Sequence, residues 1–237
     1  MSANKAPQKR RPTGCNAKMT ASTLICRSRK SGLTESTDAA EHIAHEMKIG
    51  LFGGSFDPVH LGHLLVARAA REEAGLDRLV FIPAAQSPFK PDTQPAPAAE
   101  RLRWLRLALA GDTTAEVDDQ EIRRGGLSFT IDTVRAYREK FPGAELFCLI
   151  GADQTSQLGL WREASELARL AQFLVIPRPG EIPADFPPPF RGRVLRGVPL
   201  GVSSSEIRAR LKAGLPISHL TPPAVAEALG DAHYLKK

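Results

Sequence analysis

The segment Lys48-Ile49-Gly50-Leu51-Phe52-Gly53-Gly54-Ser55-Phe56-Asp57-Pro58-Val59-His60-Leu61-Gly62-His63 decides how the rest of the chain is read. Ile49–Phe52 is a short apolar run that reads as a buried strand, and it runs into two consecutive glycines. Lacking a Cβ, Gly53 and Gly54 let the backbone turn tightly and approach a ligand closely. Pro58 fixes the approach to a helix, predicted over Leu61–Ala74 with Leu64, Leu65, Ala67, Ala69 and Ala70 on or near its inner face. His60 and His63, three apart in the first helical turn, face the same side, and Gly62 keeps the surface between them low. Exposed N–H groups and the positive end of the helix dipole make such a turn an anion site. Two imidazoles there would add donors for phosphate oxygens. Paired histidines can also bind zinc, but this spacing comes without a nearby Cys or a third His. The stretch is neither a P-loop nor a G-x-G-x-x-G dinucleotide fingerprint.

Outward from this turn, strand-like runs alternate with helix-like ones. Strands are expected at Leu79–Ile82, Ala115–Val117, Leu146–Ile150, Phe173–Ile176 and, more weakly, Arg193–Leu195. Helices are expected over Glu100–Ala110, Ile131–Lys140 (capped by Thr130 or Ser128), Glu163–Leu170, Ser203–Leu211 and Pro223–Leu229. Pro88, Pro91, Pro95 and Pro97 make the stretch between the second strand and the next helix a loop. This alternation implies an α/β fold, an open parallel sheet with helices on both faces. In such sheets ligands sit beyond the carboxyl ends of the strands, here the segments after Phe52, Ile82, Ile150 and Ile176.

The 237 residues are 42% hydrophobic and 24% charged, enough for a buried core. No apolar run approaches the roughly 18 residues of a membrane span. Cys15, Cys26 and Cys148 are too irregularly spaced for a disulfide framework or a metal knuckle, which points to a reducing, cytoplasmic compartment. The formal charge of +6 invites a nucleic-acid reading, but its location removes most of that support. Residues 1–46 carry eight of the 32 basic and four of the 26 acidic residues, leaving 24 against 22, or +2, for residues 47–237. The first 46 residues show no sustained apolar period and are expected to be a disordered basic extension, with Met47 opening the folded domain. A start codon assigned too far upstream would account for such an extension; an organellar transit peptide or a basic arm for nucleic acid are the other readings of that tail.

Gly54-Ser55-Phe56-Asp57-Pro58-Val59-His60-Leu61-Gly62-His63 resembles the H-x-G-H signature of the nucleotidyltransferase superfamily, whose fold is Rossmann-like. Ser203-Ser204-Ser205-Glu206-Ile207-Arg208 resembles that superfamily's second signature. Serines at a helix N-terminus with Arg208 one turn on would make a second phosphate cradle. Three more stretches resemble bacterial nicotinate-mononucleotide adenylyltransferases: Leu127-Ser128-Phe129-Thr130, Gly151-Ala152-Asp153 with Trp161 eight residues on, and Val175-Ile176-Pro177-Arg178-Pro179-Gly180. Together they span the chain from Met47 onward in order.

The resemblance implies adenylyl transfer from ATP to nicotinate mononucleotide, with Mg²⁺ accompanying the ATP and no nucleic acid or membrane as partner. It assigns catalysis to His60, His63 and Arg208. Gly53, Gly54, Ser55 and Phe56 would contact ATP through backbone, joined by Ser204, Ser205, Ile207, Lys90, Asp153 and Arg178. Ser128, Thr130, Trp161 and Arg162 would hold the mononucleotide, the flat anionic ring needing an aromatic face and amide donors. Backbone N–H groups near Trp161 and Thr130 would take its carboxylate. Phe89 and Arg162 depart from the family pattern, which commonly has a histidine and an aromatic there; Arg162 could favour the acid over the amide. Trp104, in an Arg-rich amphipathic helix, reads as packing. The alternatives are an adenylyl- or cytidylyltransferase acting on another acceptor such as phosphopantetheine, and a non-catalytic nucleotide- or RNA-binding relative.

Overall fold

A computed structural model describes residues 46–89, 94–177, 180, 184–198 and 200–230. The expected N-terminal extension lies outside the described residues apart from Glu46, as do the candidate site residues Lys90 and Arg178. The described strands are β1 (Lys48–Gly54), β2 (Arg78–Pro83), β3 (Ala115–Val117), β4 (Glu145–Gly151), β5 (Gln172–Ile176) and β6 (Gly192–Val194). They form one parallel sheet in the order β3-β2-β1-β4-β5-β6. The helices are α1 (Leu61–Ala74), α2 (Ala98–Ala108), α3 (Gln120–Arg124), α4 (Thr130–Lys140), α5 (Ala164–Leu170), α6 (Ser204–Lys212) and α7 (Pro223–Gly230). A 3₁₀ segment, Ala152–Leu160, follows β4.

Side chains alternate across the sheet, as the two-residue period of a strand requires. In β4, Leu146, Cys148 and Ile150 join one apolar cluster while Phe147 and Leu149 join the other. In β5, Phe173 and Val175 divide from Leu174 and Ile176 in the same way. One cluster packs under α1, α2, α6 and α7, the other under α4 and α5. Burying each such Leu, Ile, Val or Phe contributes about 1.5–3 kcal/mol relative to exposure, so the central strands anchor the fold. Topology reverses between β1 and β4, and that switch point is where open α/β sheets leave a crevice for ligands.

Several local expectations need correction. Leu65 is turned outward, while Ala67, Ala69 and Ala70 are buried as expected, joined by Gly62 and Ala74, and Leu64 packs against the core. Neither Ser128 nor Thr130 caps α4; Phe129 stands at its N-cap with no side-chain bond. Ser128 is turned away because its hydroxyl accepts the Ala85 N–H at 2.9 Å, tying two loops together. The five-residue α3 is too short to show a hydrophobic period, and the 3₁₀ segment has about three residues per turn rather than about 3.6; neither is among the expected elements.

Candidate active site

β1 stays extended through Gly54, so the two glycines belong to the strand and the chain reverses after them. A Cβ at Gly53 would meet nothing within 4 Å, and the residue lines a cleft of about 840 Å³. The reversal falls at Phe56, whose φ of 47° lies in the left-handed region that bulky residues rarely occupy. It is held there by burial: the ring meets Phe52 edge-on at 5.5 Å and Phe81 at 5.7 Å. Phe56 can therefore offer a ligand little but its backbone.

His60 is the N-cap of α1 and His63 its third residue, so the pair closes a reciprocal capping box made of imidazoles. Each Nδ1 accepts the other residue's backbone N–H at 3.3 Å, and the rings stack with centroids 3.7 Å apart. With both Nδ1 atoms accepting, a neutral imidazole here carries its proton on Nε2. The backbone at this helix start is less open than expected. Leu61 N–H donates to Leu220 O at 3.0 Å and His63 N–H is taken by His60, so two of the N–H groups expected for an anion are already engaged.

The second signature docks directly on the first. Ser203 caps α6 by accepting the Glu206 N–H at 3.1 Å, while Ser204 Oγ donates to Pro58 O at 2.9 Å. Arg208 donates from Nη1 to Asp57 O at 2.7 Å and from Nη2 to Ser205 Oγ at 3.1 Å, with the Asp57 carboxylate 3.9 Å away. Ser204 and Ser205 are the first residues of α6, where backbone N–H groups have no intrahelical acceptor. Ile207 does not reach the cleft. It is fully buried in the core and its N–H donates to Ser203 O at 3.1 Å.

The opposite wall carries the segments assigned to the acceptor. Ser128, Thr130, Asp153, Trp161 and Arg162 all line the same cleft. Trp161 leans on Phe173 edge-on at 6.1 Å and stands 5.9 Å from Phe89, so it is part core and part cleft wall. Its backbone N–H is engaged with Leu158 O at 3.1 Å, which removes that amide from the donors expected for a ring carboxylate. Arg162 lies over the Phe129 ring at 4.7 Å, with Asp132 at 3.9 Å and Glu163 at 3.6 Å. Much of its charge is thus already opposed. Trp104 is 1% exposed and packs in the core, as expected.

Three buried charged residues around the cleft escaped the reading of the sequence: Asp57, Arg101 and Glu121. Glu121 lines the cleft and accepts from Thr133 Oγ1 at 2.5 Å. Burial pushes its carboxyl above the usual value, against the opposing pull of hydrogen bonds from Thr133 and Ser128. Arg101 did leave a signal, since it shares the helical inner face with Trp104 and Leu105 at the i, i+3, i+4 spacing. Among the described residues no three His, Cys, Asp or Glu side chains converge as metal ligands, and no helix is long and apolar enough to cross a membrane.

Residues 51–210 match the model of the cytidylyltransferase-like family, which places the chain among the nucleotidyltransferases. A probable nicotinate-nucleotide adenylyltransferase of Opitutus terrae is 43% identical over 194 residues, covering 79% of this chain and 97% of the relative. One from Thermus thermophilus is 43% identical, covering 76% and 94%. Accordingly, the chain belongs to the nicotinate-nucleotide adenylyltransferase family. The fold is also that of the Plasmodium falciparum nicotinic acid mononucleotide adenylyltransferase complexed with NaAD. The two superpose with a TM-score of 0.64 at 18% identity, covering 78% of this chain and 95% of that one.

Proposed function

We propose that this protein transfers the adenylyl group of ATP to nicotinate mononucleotide, forming nicotinate adenine dinucleotide and pyrophosphate in NAD biosynthesis. The observation that carries the reading is the docking of Arg208 and Ser204 onto the first turn, opposite the wall formed by Ser128, Thr130 and Trp161 in one cleft. Two polyanions can be held face to face there.

The mononucleotide's 5′-phosphate oxygen attacks the α-phosphorus in line. The new P–O bond forms as the bond to the β-phosphate oxygen breaks and pyrophosphate departs with that electron pair. No covalent nucleophile is needed; the protein positions both reactants and offsets charge in the transition state. The Nε2–H edges of His60 and His63, the Arg208 guanidinium and the Ser204 and Ser205 N–H groups are the donors for the α- and β-phosphates. Gly53, Gly54, Ser55 and Phe56 form the backbone floor under ATP, with Lys90 and Arg178 as further phosphate and nucleotide contacts. Ile207 supports this set by seating α6 in the core. Trp161 gives the nicotinate ring an aromatic face, and Ser128, Thr130 and Arg162 complete the acceptor side. Mg²⁺ belongs with the triphosphate, since this cation is commonly held by substrate phosphates plus one or two carboxylates; Asp153, which lines the cleft, would meet the ribose or a water on that ion. When bound the ion neutralises the departing charge. A reducing, cytoplasmic setting goes with this role.

Pyrophosphate release should be measured with ATP, Mg²⁺ and a panel of acceptors. Release with nicotinate mononucleotide well above that with nicotinamide mononucleotide or phosphopantetheine is expected. Release only with phosphopantetheine would overturn the assignment.

A further inference from the structure

We propose that Arg101 is a positioning residue that sets the distance between the two reactant sites by clamping the first turn to the loop after β2. The side chain is 1% exposed, deep for a group that is almost never buried without partners. Its guanidinium donates to four backbone carbonyls from three separate stretches. Nε reaches Ala96 O at 2.9 Å; Nη1 reaches Ser55 O at 2.9 Å and Ala84 O at 2.7 Å; Nη2 reaches Ala85 O at 3.3 Å. Ser55 lies in the turn proposed as the floor under ATP and lines the cleft. Ala84 and Ala85 follow β2.

The bonds continue outward on both sides. Ala85 N–H donates to Ser128 Oγ at 2.9 Å, so the loop held by Arg101 also holds the acceptor segment. Ala96 N–H donates to Asp57 Oδ1 at 3.2 Å, and Asp57 O takes Arg208 Nη1. Arg101 therefore stands where the frames of the two half-sites meet, while not itself lining the cleft. Only arginine suits the position. Its rigid fork carries five N–H donors, whereas a lysine offers three donors from one point and cannot span carbonyls on three stretches.

This rests on the adenylyl-transfer reading and predicts how that reaction fails. Each reactant keeps its own contacts when the clamp is loosened, so affinity persists. The in-line approach does not, and misplacement of reacting groups by about 1 Å can cost 10²-fold in rate. Arg101→Lys should lower kcat roughly 10- to 100-fold, with KM for ATP and for nicotinate mononucleotide each changed less than about threefold. Rates are to be taken at a temperature where circular dichroism shows the variant folded.

Arg138 supplies the structural control. It also donates to backbone carbonyls, of Ala144 and Leu170, neither of which lines the cleft, whereas Ser55 and Ala84 held by Arg101 do. Arg138→Lys should lower the unfolding temperature and leave kcat unchanged. A folded Arg101→Lys enzyme with wild-type kcat, or with kcat and both KM values moved as in Arg138→Lys, would overturn the clamp. Wild-type protein inactive with nicotinate mononucleotide would instead overturn the functional reading, and the kcat-against-KM comparison would then be made with whichever acceptor it uses.

Discussion

Replacing Gly62 by alanine should separate stability from activity. Gly62 is the second residue of α1, and alanine there gains about 1 kcal/mol of helix propensity over glycine. The new Cβ, however, would stand 2.9 Å from His60 Nδ1 and 3.0 Å from its Cε1, with Val202 O at 3.5 Å behind it. Ordinary contact would require the His60 ring to withdraw by about half an ångström, because the helix backbone cannot. The 3.3 Å bond from His63 N–H to His60 Nδ1 would then be lost, and with it a cap worth about 1 kcal/mol. Gain and loss nearly cancel, so the unfolding temperature should move by no more than about 3 °C for a domain this size. Activity has no such compensation. The stack at 3.7 Å is broken and a proposed phosphate donor is displaced, so kcat should fall about tenfold. Thermal unfolding followed by circular dichroism and steady-state pyrophosphate release test both halves. Unchanged kcat, with the unfolding temperature raised by the full propensity gain, would refute the claim that the ring's placement matters.

Further outcomes follow from the same geometry. Arg208→Lys removes the fork that joins Asp57 O to Ser205 Oγ and should lower kcat/KM for ATP at least tenfold, measured under steady-state conditions. Glu121→Gln should become progressively more stable than wild type as pH rises, read from urea unfolding at several pH values. The folded carboxyl titrates above the ordinary 4.5, so the native state binds more protons. Wild-type stability from this group is therefore complete below 4.5 and lost as pH climbs through the raised value, whereas glutamine keeps it. Cys148, whose thiol burial pushes up to about 12, should resist alkylation at pH 8 until denaturant is added, as peptide mapping would show.

The parts of the fold legible in the sequence are those with a local signal. Central strands such as Leu146–Ile150 are uniformly apolar because both faces are covered, and helix Leu61–Ala74 has the expected ends. The signatures around His63 and Arg208 were readable, but not the bond from Arg208 to Asp57 O across 151 residues of chain. Such contacts are made by topology, which no local pattern encodes. The same limit hid Asp57, Arg101 and Glu121: the first two bond backbone groups of distant loops, and Glu121 takes the Thr133 hydroxyl from the following helix. Ser128 shows the competition directly: a good cap residue by propensity, it bonds Ala85 instead, and α4 begins uncapped.

In the proposed reaction the adenylyl group itself passes from ATP to the mononucleotide phosphate within this cleft. Single-turnover reaction with ATP labelled at the α-phosphorus, in the presence of Mg²⁺ and nicotinate mononucleotide, tests it most directly. The label should appear in nicotinate adenine dinucleotide in step with unlabelled pyrophosphate, and His63→Ala should slow that transfer at least 100-fold. Label recovered only as AMP or ADP, with no labelled dinucleotide, would contradict the account.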